Sequence, residues 1–247
     1  MLTLTRKRHG VKVIDCWYAT EEVLTKGIVT YHQSLIPLGK ENQPFDTLVS
    51  DLRPTKEEIT AAFSKSCKYK INRAPREGVA VELFNGGDVT DEIISQFLDF
   101  YAAFYESKGY GDIGRDHLMD EMKRYRDAGA LSVHVAYIGE EPVVYHTHIL
   151  TEEYARLYHS ASLYRVIEGI NPNVVGMANR YLHQVDMFTF KEMGKKTYDW
   201  GGAGRGEEVL KITEFKESFG GTPAIHYNGE TVIGGKAKLY RRVTSLL

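Results

Sequence analysis

A glycine-rich turn near the end of the chain is the feature that most constrains the fold. The stretch 196–221, K-T-Y-D-W-G-G-A-G-R-G-E-E-V-L-K-I-T-E-F-K-E-S-F-G-G, predicts a short strand at Thr197–Trp200, then the turn, then a helix that ends at Gly220. The turn contains Gly201, Gly202, Gly204 and Gly206. Glycine allows positive φ and a close approach of the backbone to a ligand, so this turn is suited to line a binding site.

The helix after the turn is predicted to be amphipathic. Its apolar face is expected to carry Val209, Ile212, Phe215 and Phe219. Lys216 follows Phe215, and two placements are open for it. The lysine lies either at the solvated edge of the apolar face, as isolated charges usually do, or in a cleft.

These residues carry a resemblance to a known family. Y-D-W-G-G at Tyr198–Gly202, followed by F-K-E-S-F-G-G at Phe215–Gly221, resembles the C-terminal signature of the Fem-like aminoacyl and peptidyl transferases, which belong to the GNAT acyltransferase superfamily. The resemblance covers roughly residues 60 to 225 and includes a partial match at Lys65–Val79, where Asn72 and Pro75 depart from the family pattern. It implies a GNAT fold, with helices packed on a mixed sheet.

Composition excludes several classes of protein. The chain has 247 residues, 43% hydrophobic and 26% charged, with a net charge of −2, which gives no global attraction to nucleic acid or anionic membranes. Cys16 and Cys67 suggest neither a disulfide framework nor a zinc motif. No secretory signal or membrane-spanning run is evident, so we expect a cytoplasmic protein.

The order of predicted elements supports an α/β or α+β class. Residues 1–86 are expected to form a β-rich, partial GNAT-like region with one helix, which begins after Pro54 and has capping-box spacing at Thr55 and Glu58. Residues 87–247 are expected to form the full GNAT domain. Its predicted order is two helices, three antiparallel strands, a helix at Asn173–Met193, the strand and helix around the glycine turn, and a final strand pair.

Two groups of polar side chains allow more than one interpretation. The basic segment with Lys70 and Arg73 is either a solvated helix end or an anion site for a phosphate-bearing substrate. The histidines could bind a metal, handle protons or serve as structural residues; they are His134, His146, His148 and His159. No carboxylate motif near them completes a zinc set, so we predict no metal and favour a structural role.

The resemblance also implies where substrates bind. Most GNAT enzymes hold the pyrophosphate of coenzyme A with an R/Q-x-x-G-x-G/A loop. This chain has Arg165 and Gly169 but lacks the double-glycine pattern, as do Fem-like members, whose donor is an aminoacyl-tRNA. The donor is therefore acyl-CoA or aminoacyl-tRNA. By family analogy, Tyr158, Ser160, Ser162 and Arg165 face the donor or acceptor channel.

For catalysis, the resemblance assigns Lys216 to the lysine of the family's F-K motif, as a fixed cation beside the reacting carbonyl or a phosphate. Phe215, Tyr198, Trp200, Gly201 and Gly202 are expected to form the pocket wall. Amine attack requires a base, and the sequence leaves Asp199, Glu214 and His159 as candidates.

The predicted function is N-acyl transfer to an acceptor amine in cell-wall (peptidoglycan) or polysaccharide biosynthesis. The acceptor would be a small molecule or a precursor, with tRNA as a partner if it carries the donor. A non-catalytic ligand-binding GNAT protein and a polysaccharide acetyltransferase that uses acyl-CoA and an amino sugar are the alternatives. Fem-like proteins usually have two tandem GNAT domains, whereas this length has room for one and part of another.

Overall fold

One ten-stranded mixed sheet organises the chain. The computed structural model describes residues 1–163, 169–203 and 207–244, with only the backbone for 207–209. The strands are β1 (Leu2–Arg8), β2 (Val11–Trp17), β3 (Gly27–Ser34), β4 (Lys40–Asp51), β5 (Val79–Asn85), β6 (Leu131–Ile138), β7 (Glu141–Leu150), β8 (Tyr154–Ser162), β9 (Thr197–Gly202) and β10 (Thr222–Ile233). Their order across the sheet is β1-β2-β3-β10-β4-β9-β8-β7-β6-β5.

Helices cover both faces of the sheet. They are α1 (Lys56–Ala61), α2 (Lys65–Arg73), α3 (Asp91–Lys108), α4 (Arg115–Asp127), α5 (Pro172–Glu192), α6 (Glu207–Glu217) and α7 (Gly235–Thr244). On β6, Val133 and Val135 pack with α3 and α4, whereas the alternating residue Ala136 packs with α5. Because successive strand residues point to opposite faces, α5 lies on the other side of the sheet from α3 and α4.

The predicted fold class is confirmed, and most predicted elements are present. The α1 capping box exists, because the Thr55 hydroxyl accepts from the Glu58 N–H and the Glu58 carboxylate accepts from the Thr55 N–H. The single helix predicted there is instead two, since the Ser64 hydroxyl accepts from the Cys67 N–H and starts α2 anew. The predicted final strand pair is wrong as well: β10 is one strand of 12 residues, and α7 follows it.

The last strand of the chain pairs with strands from its N-terminal part. β10 lies between β3 and β4 and is antiparallel to both. Strands from either side of residue 86 therefore share one sheet, and the domain division at residue 86 remains a prediction. None of the helices in the described ranges combines the length and apolar character that crossing a membrane requires.

Candidate functional site

A cavity opens where two parallel strands separate near the middle of the sheet. β8 and β9 pair only at Tyr154–Thr197, Ala155–Tyr198 and Arg156–Asp199, although both strands continue. Beyond that level lies a cavity of about 580 Å³, bordered also by α5 and α6. Its lining residues are Arg156, Leu157, Tyr158, Ser160, Asn179, His183, Trp200, Gly201, Gly202, Lys211, Ile212, Phe215 and Lys216.

Both strands are irregular where they separate. In β8, Leu157 and His159 pair with adjacent residues of β7, so Tyr158 is an extra, bulged residue. Between Asp199 and Gly202, β9 has one more residue than the segment of β4 with which it pairs. Bulges bend a strand and interrupt pairing, so these two account for an opening at this level.

The glycine turn is held from both sides at Gly201. Its φ is +64°, and its N–H donates to Asp199 Oδ1 at 2.8 Å. Lys216 Nζ donates to the carbonyl oxygens of Gly201 and Gly202, each at 2.7 Å. The Lys216 side chain therefore lies in the cleft, which is the second of the two predicted placements. Only 8% of the residue is exposed.

Burial changes the acidity of Lys216. Loss of solvent lowers the pKa of its ammonium to about 8, with Arg156 acting in the same direction and Asp199 against it. Two of the three ammonium hydrogens are used by the glycine carbonyls. Among the described residues the third has no recorded partner, and it is available to a ligand in the cavity.

Asp199 is fully buried behind the cavity and is surrounded by hydrogen-bond donors. Its carboxylate accepts from Tyr18 Oη (2.7 Å), Gln33 Nε2 (2.8 Å) and Thr47 Oγ1 (2.6 Å), besides the Gly201 N–H. Burial by itself would raise the pKa of Asp199, but hydrogen bonds, including one to His226, outweigh it and lower the pKa. This carboxylate orders the turn and does not line the cavity.

The cavity wall is cationic. Arg156, Lys211 and Lys216 line it, and none of the described lining residues is acidic. The Arg156 guanidinium lies 5.3 Å from the Trp17 ring and 5.4 Å from the Tyr158 ring, and Nη1 donates to Leu157 O. Sequence analysis missed Arg156, because a single arginine in a strand belongs to no motif. A wall of this kind attracts anionic ligands.

The structure brings seven of the predicted site residues to this cavity: Tyr158, Ser160, Trp200, Gly201, Gly202, Phe215 and Lys216. Ser162, Tyr198, Asp199 and His159 do not line it. His159 Nδ1 instead contacts Thr147 Oγ1 at 2.8 Å, and burial lowers the pKa of this imidazole to about 3. Arg165, Gly204 and Gly206 lie outside the described residues.

Lys70 and Arg73 line a second, smaller cavity of about 260 Å³ at the start of α5. The helix begins there because the Asn171 side chain accepts from the Asn173 N–H and Pro172 takes the first position. Arg73 is exposed and donates to Glu77 at 2.6 Å and to Tyr69 Oη at 3.0 Å. Glu77 also lines this cavity, and the anion site at Lys70 and Arg73 remains a prediction.

The apolar face predicted for α6 is only partly correct. Ile212 is 52% exposed at the cavity rim, whereas Phe219 is buried beyond the end of the helix. The Val209 side chain lies outside the described residues. Contact of α6 with β4 and the Lys216 hydrogen bonds to β9 accompany this orientation, which the helical spacing alone could not reveal.

Behind the cavity lies a buried cluster of titratable side chains. His134, His146, His148 and His183 surround the carboxylate of Asp186, and all five are at most 2% exposed. Two triads in it have metal-binding geometry, His134–His148–Asp186 and His146–His183–Asp186. The sequence placed His183 and Asp186 on a helix far from the strand histidines, and only the fold brings them together.

A mixed sheet whose central parallel strands separate around a cavity defines the class of GNAT-fold proteins. The family profile described as an acetyltransferase (GNAT) domain matches residues 61–206. The chain belongs to this family, and acyl transfer is the reaction class of that family.

Solved structures agree with this assignment at the level of the fold. FemX is 12% identical with a TM-score of 0.63, and the match covers 87% of this chain and 68% of FemX. The C-terminal domain of a protein from Agrobacterium fabrum, provisionally named a lysylphosphatidylglycerol synthetase, is 13% identical with a TM-score of 0.53, covering 90% of this chain and 72% of that one. No curated protein matches the chain. The predicted resemblance to Fem-like proteins is confirmed as a shared fold.

Proposed function

We propose that this protein is an N-acyltransferase that moves an acyl or aminoacyl group from a phosphate-bearing donor to an acceptor amine. The observation that carries the proposal is the Lys216 ammonium, which is buried at the cavity wall and fixed by two glycine carbonyls. A cation held in this way is already oriented before a substrate arrives, which is the requirement for stabilising charge that develops during a reaction.

The donor is acyl-CoA or aminoacyl-tRNA, because each joins an activated carbonyl, a thioester or an ester, to a carrier that bears phosphates. Arg156 and Lys211 give the cavity wall its positive charge, and Lys70 with the start of α5 gives a second anion site. The edge of β8 that no longer pairs with β9 can also hydrogen-bond an extended donor. The predicted contribution of Arg165 rests on the family resemblance alone.

The reaction is direct attack of the amine on the donor carbonyl. The amine nitrogen forms a bond to the carbonyl carbon, and the carbon–sulfur bond of a thioester or the carbon–oxygen bond of an ester breaks. The proton lost by the nitrogen ends on the departing sulfur or oxygen. The third hydrogen of Lys216 stabilises the negative oxygen of the intermediate, a contribution of about 10²- to 10³-fold in rate.

The other predicted site residues then divide into three groups. Tyr158, Ser160, Trp200 and Phe215 contact the substrates, since they line the cavity. Asp199 is a positioning residue that holds Gly201. We retain His159, Ser162 and Tyr198 as part of the surrounding framework.

The acceptor is an amine on a peptidoglycan or polysaccharide precursor, and the reaction takes place in the cytoplasm, where both donor types are made. A protein that binds these ligands without turnover is the second candidate. The departure of the 165–170 segment from the usual phosphate-loop pattern favours it.

The test is turnover with matched lysine variants. Wild type, Lys216→Met and Lys211→Met would be assayed with a set of acyl-CoA thioesters and aminoacyl-tRNAs, with amino sugars and cell-wall peptide precursors as acceptors. We expect Lys216→Met to lower kcat by about 10²-fold or more while donor affinity changes little. Lys211→Met should weaken donor binding and leave kcat near the wild-type value.

Equal turnover by wild type and Lys216→Met would contradict the role of this lysine. Donor binding by calorimetry without turnover on any acceptor would favour the non-catalytic candidate. A thermal unfolding comparison checks that both variants are folded at the assay temperature.

A further inference from the structure

Two strands of the sheet and helix α5 together form the buried cluster behind the cavity. His134 of β6 and His146 of β7 are directly paired, and His148 lies two residues farther along the same face of β7. On α5, His183 and Asp186 are three residues apart, so both point toward that face of the sheet. Strand pairing and helix spacing thus bring four imidazoles to one carboxylate.

The charge of Asp186 requires compensation by a cation. The residue is 0% exposed, and burying an unpaired carboxylate costs several kcal/mol. Four imidazoles contact it, His134 Nδ1 at 2.7 Å, His146 Nδ1 at 2.6 Å, His148 Nε2 at 3.5 Å and His183 Nδ1 at 3.8 Å, and the Tyr198 hydroxyl also donates to it. No described lysine or arginine contacts it. The histidines can supply a compensating cation here, either as a proton or as a bound metal ion.

The hydrogen-bond partners on the far side of the histidine rings help to decide whether the cation is a proton or a metal ion. His146 Nε2 lies 2.9 Å from Asn179 Oδ1, and His134 Nε2 lies 3.1 Å from Asn85 Oδ1. With the amides in this orientation, each Nε2 must carry the hydrogen, because an amide oxygen only accepts. The Nδ1 atom of a neutral ring then turns a lone pair toward Asp186. Metal-binding histidines show this arrangement, with the other ring N–H donated to an oxygen.

Three atoms of the cluster have the spacing of a metal site. His146, His183 and Asp186 each offer one ligand atom, and these atoms lie within 4.8 Å of one another. Their nitrogen–oxygen distances of 2.6 and 3.8 Å bracket the separation of about 3.3 Å expected between ligand atoms in a tetrahedral site with bonds near 2.0–2.1 Å. The Tyr198 hydroxyl lies 3.2 Å from His183 Nδ1 and 3.2 Å from His148 Nε2, and it would be the fourth ligand.

We propose that His146, His183 and Asp186 bind a divalent first-row transition metal, with zinc as the occupant, in the wall behind the cavity. Imidazole and carboxylate ligands suit zinc, and the same set can hold ferrous iron. His183 also lines the cavity, so the ion would fix a wall residue of the substrate site. This inference does not depend on the acyl-transfer proposal.

The first experiment measures metal content directly. The full chain would be purified without a histidine tag or chelator and analysed by elemental mass spectrometry. We expect about one zinc per chain, in keeping with a single tetrahedral site. After removal with a chelator, Co²⁺ should restore stoichiometric binding with the visible absorption of a tetrahedral ion, and Fe²⁺ is titrated in parallel as the rival occupant.

Matched variants assign the ligands. His183→Gln and Asp186→Asn should lose stoichiometric metal, whereas His134→Gln and the distant His226→Gln should keep it. Asn179→Ala should weaken Co²⁺ affinity by about 10- to 100-fold at unchanged stoichiometry, as expected for an outer partner. That change in affinity is a readout which a purely structural role of Asn179 would not produce.

Several outcomes would overturn the proposal. Wild-type protein without bound metal, and without response to Zn²⁺, Fe²⁺ or Co²⁺, would mean that protons balance Asp186, and doubly protonated His134 and His146 rings in nitrogen NMR spectra would show it directly. Equal binding by wild type and the ligand variants would mean an adventitious ion only. Loss of metal in His134→Gln but not in His183→Gln would move the site to the other triad and refute this ligand set.

Discussion

Asp199 and Asp186 are both completely buried near the cavity, but their surroundings differ in kind. Asp199 has one imidazole nearby, His226 at 3.4 Å, but it accepts hydrogen bonds mainly from a tyrosine, a glutamine, a threonine and a backbone N–H, each of which keeps its proton at neutral pH. Asp186 contacts imidazoles, which can gain, lose or move a proton or bind a metal. The first carboxylate has a fixed structural environment, whereas the second has an adaptable one.

The largest difference should appear when each carboxylate is removed. We expect Asp199→Ala to lower the free energy of unfolding by about 4 kcal/mol, because it leaves several buried donors without a partner. Asp186→Ala should cost about 2 kcal/mol in metal-free protein, because an imidazole can move its hydrogen to the other ring nitrogen. Urea unfolding of both variants at neutral pH measures the difference. Equal losses would mean that the two environments do not differ as described.

The pH dependence of stability that Lys216 causes tests the environment of the glycine turn, which Asp199 also holds. The folded-state pKa of Lys216, about 8, lies below the ordinary value of 10.5, so between these values the unfolded chain holds a proton that the folded chain releases. Wild-type stability should therefore rise relative to Lys216→Met between pH 8 and 10.5, by about 3 kcal/mol. Urea unfolding of both proteins across this range checks the sign, and a constant difference would contradict the lowered pKa.

The smallest effect is expected at the turn itself. At Gly201 the φ of +64° disfavours a side chain, and an added Cβ would lie 3.1 Å from Leu157 O. Gly201→Ala should lower stability by about 1–2 kcal/mol. Gly202→Ala is the matched control, because its Cβ would meet only Phe45 Cζ at 3.6 Å and should cost less. Thermal unfolding of the two variants measures this, and equal shifts would show that the turn is not strained at Gly201.

The positions of local elements were predictable because their causes are local. The sequence predicted three antiparallel strands where β6, β7 and β8 lie, and a helix at Asn173–Met193 where α5 lies. Two predicted elements were wrong, one for a local reason and one for a longer-range reason. The helix after Pro54 divides at Ser64, where a side-chain cap competes with continued helix, and the C-terminal segment became a single strand because it fits between β3 and β4.

The candidate site was only partly accessible to sequence analysis. The glycine turn and Lys216 were predictable because a continuous motif carries them, and the chain places them at one cavity. Arg156, Asn179 and His183 belong to no motif and reach the cavity only through the separation of β8 from β9.

The sequence by itself determined the fold class, the glycine turn and the family resemblance, because periodicity and contiguous motifs act over a few residues. Only the tertiary structure decided that Lys216 is buried, that Asp199 orders the turn, and that His183 and Asp186 join histidines of distant strands. Burial and charge compensation depend on neighbours brought together by sheet pairing and helix packing, and such neighbours have no fixed separation along the chain.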